Sequence, residues 1–214
     1  MTEAMHQHDL QAFTRKWRER WPEWGIAEVF LPRNQRNVAV AWFALLQELV
    51  DAAWAGDDPT PGLAKLAWWQ EELRGWAKGA RRHPLGAALL VGSVPWDSLA
   101  NAMSVLRRRE IVAADMPASL DTLRPLSIVI AQVESALFGG SRAGADSVSA
   151  ALLAPFSGGD GARELLSRLD TDGTRPRRLL AEIECARLQR VIAGKAGPNS
   201  RWRTLWRAWG AARH

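Results

Sequence analysis

Residues Arg33–Trp54 read RNQRNVAVAWFALLQELVDAAW, and this stretch decides the fold class. A proline precedes it and a Gly-Asp-Asp-Pro turn follows it, as at the two ends of a helix. Its apolar side chains recur at the spacing of one helix face: Val38, Trp42, Leu45, Leu46 and Leu49. Because no stretch of the chain alternates apolar and polar residues over the length of a strand, the pattern predicts an all-α protein.

The same period recurs on both sides of this stretch. An N-terminal stripe of Phe13, Trp17, Trp21 and Trp24 predicts a helix that ends near Pro22. Downstream, helices are predicted over 60–79, 94–114, 119–138 with a disturbance at the internal proline, 145–154, 162–169, 176–193 and 201–212. The loops between them are short, so residues 1–214 are expected to form a single domain.

The composition restricts the class of protein. Hydrophobic residues make up 47% and charged residues 24% of 214, which is typical of a globular chain. The single cysteine, Cys185, excludes an internal disulfide and a cysteine-only metal site. There is no run of 18 apolar residues and no signal-peptide pattern, which predicts a cytoplasmic protein.

Positive charge is concentrated near the C-terminus. Residues 175–214 hold ten Arg or Lys against Glu182 and Glu184, a balance of +8 within a net charge of +5. One interpretation is a basic face for an anionic partner such as a lipid surface, a phosphate group or nucleic acid. The other is an Arg-rich set of solvated helix faces. No nucleic-acid-binding motif is present, so nucleic acid is not an expected partner.

The window 30–90 carries several features in a fixed order. They are Leu31-Pro32, Arg36, the motif Gln47-Glu48-Leu49-Val50-Asp51, a helix with Leu66, Trp69, Glu72 and Leu73, and His83-Pro84. In this order and spacing the window resembles the squalene/phytoene synthase family, the head-to-head branch of the trans-isoprenyl diphosphate synthases. The resemblance implies an all-α isoprenoid-synthase helical bundle, which this short chain would have reduced at its C-terminal side.

The resemblance also implies a site and a cofactor. Members of the family condense isoprenoid diphosphates with Mg²⁺, which D-x-x-x-D motifs on two facing helices hold beside an apolar cavity. Mg²⁺ prefers such carboxylate oxygens, and Arg suits the leaving diphosphate. Carried over to this sequence, the first metal motif falls on Gln47, Glu48 and Asp51, and Arg33 and Arg36 are the candidate diphosphate ligands.

The sequence departs from the family's pattern at both motifs. Gln47 stands at the leading Asp position, and Glu48 is displaced from it by about 100° around the helix. The second motif is replaced by residues 145–156, ADSVSAALLAPF, in which Asp146 is the only acid. The prediction is therefore a non-catalytic prenyl-ligand-binding or assembly-type protein, as in divergent members such as mitochondrial complex I assembly factors. The alternative is an active Mg²⁺-dependent prenyltransferase using Glu48, Asp51 and Arg36.

Five further side chains receive structural interpretations. Glu72 is expected to be solvated and to pair with an Arg such as Arg36. His83, which precedes a proline, is expected to cap a turn, and Cys185 is expected to be a buried thiol. The two histidines within residues 6–8 are too few to bind a metal.

The last helix, RWRTLWRAWGAARH, has an apolar stripe among basic residues. Trp202, Trp206 and Trp209 form the stripe together with Leu205, and arginines occupy the rest of the circumference. One interpretation is contact with a partner or with the inner face of a membrane. The other, commoner in all-α proteins, is that the stripe packs on the core.

Overall fold

The computed structural model describes residues 2–80, 82–195 and 199–213, and the side chains among them from residue 10 onward. Within these ranges the regular structure is entirely helical, which confirms the all-α class. The α-helices are α1 (Thr2–Arg20), α2 (Trp24–Ala27), α3 (Arg33–Trp54), α4 (Thr60–Ala77), α5 (Pro84–Leu89), α6 (Trp96–Ala102), α7 (Met116–Phe138), α8 (Ala145–Leu153), α9 (Gly159–Arg168), α10 (Arg175–Ile192) and α11 (Arg201–Ala212). Short 3₁₀ segments occupy Glu28–Phe30, Met103–Arg107, Arg109–Val112 and Ala154–Phe156.

Most predicted helix ends are confirmed. Helices α3 and α11 begin and end where the sequence pattern places them, and the first helix stops just before Pro22. Helix α4 begins at Thr60 as predicted and ends two residues early, at Ala77, and the Thr60 amide donates to Asp58 at 2.9 Å. None of the described helices has both the length and the apolar character of a membrane span.

One prediction about helix continuity is wrong. The helix predicted over 94–114 ends at Ala102. The backbone is extended at Arg108, which lies between two 3₁₀ segments. The neighbouring Arg109 guanidinium donates to the Gly56 carbonyl at 2.5 Å, which holds this segment against the end of α3. Helix α7 contains Pro125 in its interior and continues to Phe138, so the helix predicted over 119–138 is present and begins three residues earlier, at Met116.

Helix α3 lies at the centre and packs against α1, α4 and α5. At the contact with α1, the rings of Trp17, Trp24 and Phe43 form a cluster with centroid separations of 5.3 to 6.0 Å. Such edge-to-face and offset contacts add to the large apolar area that aromatic rings bury. The N-terminal tryptophan stripe is therefore core, as its helical spacing predicts.

The crossing of α3 and α4 depends on a glycine. A Cβ at Gly62 would overlap the backbone oxygen of Ala52, so only a residue without a side chain permits this close approach. Helices α7 and α8 pack on each other, and α10 packs against α9 and α11. Residues of α1, α3, α8 and α10 together line a small cavity.

Candidate functional site

The carboxylate motif of α3 is covered by α1. Gln47 donates to Asp51 at 2.8 Å, and Arg20 of α1 donates to both carboxylate oxygens of Asp51 at 3.2 Å. The indole of Trp21 lies 3.5 Å from the amide oxygen of Gln47. Two of the three candidate metal ligands are thus brought together, and a guanidinium binds the carboxylate.

Glu48 lies beside them but has its own partners. Its side chain is buried, with the Lys16 ammonium 3.5 Å from one oxygen and the Lys65 ammonium on the other. The space that Gln47, Glu48 and Asp51 share is only about 20 Å³. A cavity of this size holds about one water molecule.

These contacts do not suit Mg²⁺. The ion needs six oxygen ligands in a regular octahedron, several of them waters or phosphate oxygens. Here Lys16, Arg20 and Lys65 already neutralise the two carboxylates, and α1 fills the space where further ligands would stand. Among the described residues, no group of three or more His, Cys, Asp or Glu side chains is arranged to hold a metal.

The candidate diphosphate ligands lie at the other end of α3. Arg36 donates to the carbonyl oxygens of Leu31 at 3.1 Å and Val29 at 3.0 Å, and so closes the turn before the helix. Arg33 is exposed in the first turn and makes no ion pair or hydrogen bond with the described side chains. Arg36 and Asp51 are about 22 Å apart along the helix axis, so the structure does not bring the two halves of the expected site together.

The expectation for Glu72 is wrong. The residue is buried, and one of its oxygens accepts from the Trp76 indole at 2.8 Å and from the His83 amide at 3.0 Å. Arg82, not Arg36, is its ion-pair partner, at 3.0 Å. Glu72 therefore binds the loop before α5 to α4, a role that its position on an apparently polar helix face does not reveal.

His83 is confirmed as a cap. Its Nδ1 accepts from the Leu85 amide at 3.2 Å at the start of α5, and its ring packs edge-on against Phe13 and Trp69. Burial lowers the pKa of His83, which favours the neutral ring that this hydrogen bond requires. The histidines within 6–8 have side chains outside the described residues.

A buried ion pair joins α10 to α7. Arg177 of α10 donates through Nε to both carboxylate oxygens of Glu134 of α7, at 3.1 and 3.0 Å. The indole of Trp42 donates to the same carboxylate at 2.8 Å, and the guanidinium lies 5.2 Å from the ring centre of Phe43. Burial alone would lower the pKa of Arg177, but Glu134 holds it above its ordinary value.

Glu184 is the second buried acid on α10. Burial raises the pKa of Glu184 from 4.5 to about 7, although Arg177 and Arg187 act in the opposite direction. Its Oε2 has no hydrogen-bond partner among the described residues. Since unpartnered buried oxygens are uncommon, this atom marks a place where a hydrogen-bond donor could bind.

Glu184 lies in the wall between two cavities. The inner one, of about 40 Å³, is lined by α3 and α8 and by Trp17 and Arg177. The outer one, which we call the α10 groove, measures about 270 Å³ and is lined by Arg20, Trp21, Ala154, Pro155, Ser157, Glu184, Arg187, Leu188 and Val191. Its volume approaches the lower end of small-molecule sites.

Arg187 holds the residues at the rim of the α10 groove together. Arg187 stacks 3.9 Å over the Trp21 ring, and its guanidinium binds Glu23 and the Arg20 carbonyl. Burial would raise the pKa of Glu23, but the hydrogen bond from Arg187 lowers it below its ordinary value. The groove therefore has a rigid aromatic wall, an apolar floor and one acceptor without a partner.

Sequence reasoning missed Glu134, Arg177 and Glu184, although a signal was present. Arg177 and Glu184 fall on the buried stripe of α10 together with Leu180 and Leu188, at i, i+3, i+7 and i+11. Charged residues at core spacing indicate buried, paired groups rather than a solvated face. Cys185 next to them is half-buried, and burial raises the pKa of its thiol to about 11, so it stays protonated at neutral pH.

Neither the models of protein families, nor the curated proteins, nor the solved structures compared with this chain give a match. A functional assignment therefore rests on the geometry described above.

Proposed function

We propose that the chain is a squalene/phytoene synthase-like protein of the isoprenoid-synthase fold that lacks prenyltransferase activity and binds an apolar or prenyl ligand in the α10 groove. The observation that carries the proposal is the state of the α3 carboxylates. Glu48 and Asp51 are neutralised by Lys16, Lys65 and Arg20, where a synthase would need open metal sites. Without metal there, the charge that develops on a leaving diphosphate has no strong electrophile beside it.

The helix that lines the inner cavity opposite α3 supports the same conclusion. Helix α8 contributes Ala151 and Leu152, which are apolar, and the 3₁₀ segment after it contributes Pro155. Its one acid, Asp146, pairs with Arg124 at 2.8 Å and with Arg168 at 3.8 Å. Among the described residues that line this cavity Glu184 is the only acid, so the cavity holds no pair of carboxylates like that of a D-x-x-x-D motif.

The chemistry of the α10 groove supports the proposed ligand class. Trp21, Leu188 and Val191 offer an apolar surface, and Glu184 offers an unpartnered oxygen at the inner end. A short isoprenoid chain with a neutral, hydrogen-bond-donating head fits this combination of volume and polarity. The inner cavity is too small to receive more than the tip of such a chain.

Activity is tested with farnesyl and geranylgeranyl diphosphate in the presence of Mg²⁺. We expect no release of pyrophosphate above the level without protein. Turnover that Asp51→Ala abolishes would establish the active prenyltransferase instead and overturn the non-catalytic assignment.

Ligand binding is tested separately with farnesol, whose binding next to Trp21 should quench indole fluorescence. Val191→Trp places a large ring in the groove from a position that is half exposed, so it should block binding without disturbing the core. The matched control is Ile128→Trp, at an equally exposed site on α7. Equal farnesol binding by both variants would exclude the groove.

A further inference from the structure

The three tryptophans of helix α11 are exposed to solvent. Trp202 is 72% exposed, Trp206 67% and Trp209 42%, whereas most tryptophans of the described chain are buried. The side chains that face the core are small: Thr204, Ala208 and Ala211. The expectation that the tryptophan stripe packs on the core is therefore wrong, because the contact with α10 and α2 is made by the opposite side of the helix.

The helical period places the exposed tryptophans together. At 100° per residue, Trp202, Trp206 and Trp209 fall within an arc of about 60°, on the side of α11 away from its buried residues. The Trp206 and Trp209 rings meet edge to face with centroids 5.4 Å apart. This continuous aromatic strip we call the α11 face.

Positive charge surrounds the α11 face. Arg201, Arg203 and Arg213 are exposed, and the Arg213 guanidinium lies 4.3 Å over the Trp209 ring. Helix α11 contains no acidic residue, and Glu182 of α10 pairs with Arg207 at 3.7 Å. The charge of the face is therefore not neutralised locally.

The exposed apolar area is small for a protein interface. A tryptophan side chain buries up to about 250 Å², so these three offer about 300 to 450 Å² at their observed exposures. Stable protein interfaces bury about 800 Å² on each partner. A strip of indoles bordered by guanidinium groups matches instead the interfacial region of a bilayer, where indoles lie at headgroup depth beside lipid phosphates.

We propose that the α11 face docks on an anionic lipid bilayer. The three tryptophans enter the headgroup region, and Arg201, Arg203 and Arg213 contact lipid phosphates. This docking goes beyond ligand binding in the α10 groove and does not depend on it. The helix lies parallel to the surface, since its opposite side stays packed on α10.

The test is flotation of the full chain with vesicles of phosphatidylcholine, alone or with about one third phosphatidylglycerol. We expect binding to the anionic vesicles at low salt and little binding to phosphatidylcholine alone. The double variant Trp202→Ser/Trp206→Ser should lose about tenfold or more in affinity. Arg201→Gln/Arg203→Gln should lose about fivefold for each arginine removed, with the loss disappearing at high salt.

The matched control is Trp68→Ser, which removes a tryptophan 45% exposed on α4 and should bind as the unaltered chain does. Circular dichroism melting confirms that each variant is folded. No binding to anionic vesicles at low salt, or equal binding by the double variant, would overturn the proposal. So would a dimer, seen by light scattering, that the double variant dissociates, because a second copy would then cover the face.

Discussion

Arg177 and Glu134 form an ion pair that is almost completely buried and joins α10 to α7. Their side chains are 4% and 1% exposed, and Trp42 of α3 donates to the same carboxylate. Three helices thus meet at one charged group in the core. Removing one partner of a buried ion pair greatly lowers the free energy of unfolding, because the remaining charge is left without compensation.

Arg177→Met should lower the free energy of unfolding by about 3 to 5 kcal/mol, because it leaves the Glu134 carboxylate buried without its cation. The double variant Arg177→Met/Glu134→Gln removes that charge and keeps an acceptor for the Trp42 indole. We expect it to recover at least about 1 kcal/mol relative to Arg177→Met. Urea denaturation measures both, and a double variant less stable than the single one would contradict this account.

Glu184 should make stability depend on pH. The carboxyl has a pKa of about 7 when folded and near 4.5 when unfolded, so the folded state binds more protons between these values. The free energy of unfolding therefore falls as pH rises from about 4.5 to about 7, by up to about 3 kcal/mol from this group.

Glu184→Gln keeps the shape and removes the titration. The stability difference between the variant and the unaltered chain should grow in favour of the variant as pH rises through this range. Urea unfolding at several pH values measures it, with Glu71→Gln at an exposed position on α4 as the control. A difference that does not change with pH would show that folding does not raise the pKa of Glu184.

Gly62 should not tolerate a side chain. Gly62→Ala places a Cβ against the Ala52 backbone, so α3 and α4 must move apart, and we expect a loss of about 2 kcal/mol or more. Gly210→Ala in α11 is the control, since nothing lies within 4 Å of its Cβ. That change should stabilise by up to about 1 kcal/mol through helix propensity. Thermal melting distinguishes the two, and equal effects would contradict the close approach.

Substitutions of Arg36 and Arg33 should differ in their effect on the stability of the protein rather than in their effect on diphosphate binding. Arg36→Ala removes the donor from the Val29 and Leu31 carbonyls and should cost about 1 to 2 kcal/mol. Arg33→Ala should stay within about 0.5 kcal/mol, because its side chain is exposed. Chemical denaturation gives the stabilities, and calorimetry with inorganic pyrophosphate gives the binding. Pyrophosphate binding that both substitutions abolish would restore these residues as ligands.

The sequence pattern predicted most of the helices but not the contents of the site. Flanking proline and glycine residues define the ends of α3, and apolar spacing identifies the N-terminal tryptophans as core. It cannot say that Glu72 faces inward, because a single acid next to Glu71 looks like part of a solvated face. The candidate site shows the same limit, since Lys16, Arg20 and Lys65 reach the α3 carboxylates from other helices.

The sequence by itself determined the all-α class, the order of the helices and the basic, tryptophan-bearing character of the last one. These depend on local periodicity, which neighbouring residues encode. Only the tertiary structure decided that the α3 carboxylates bind lysine and arginine, that Arg177 pairs with Glu134, and that the tryptophans of α11 face solvent. Each of these depends on which faces of distant helices meet, and small residues such as Ala208 can occupy a packed face while the larger rings remain outside.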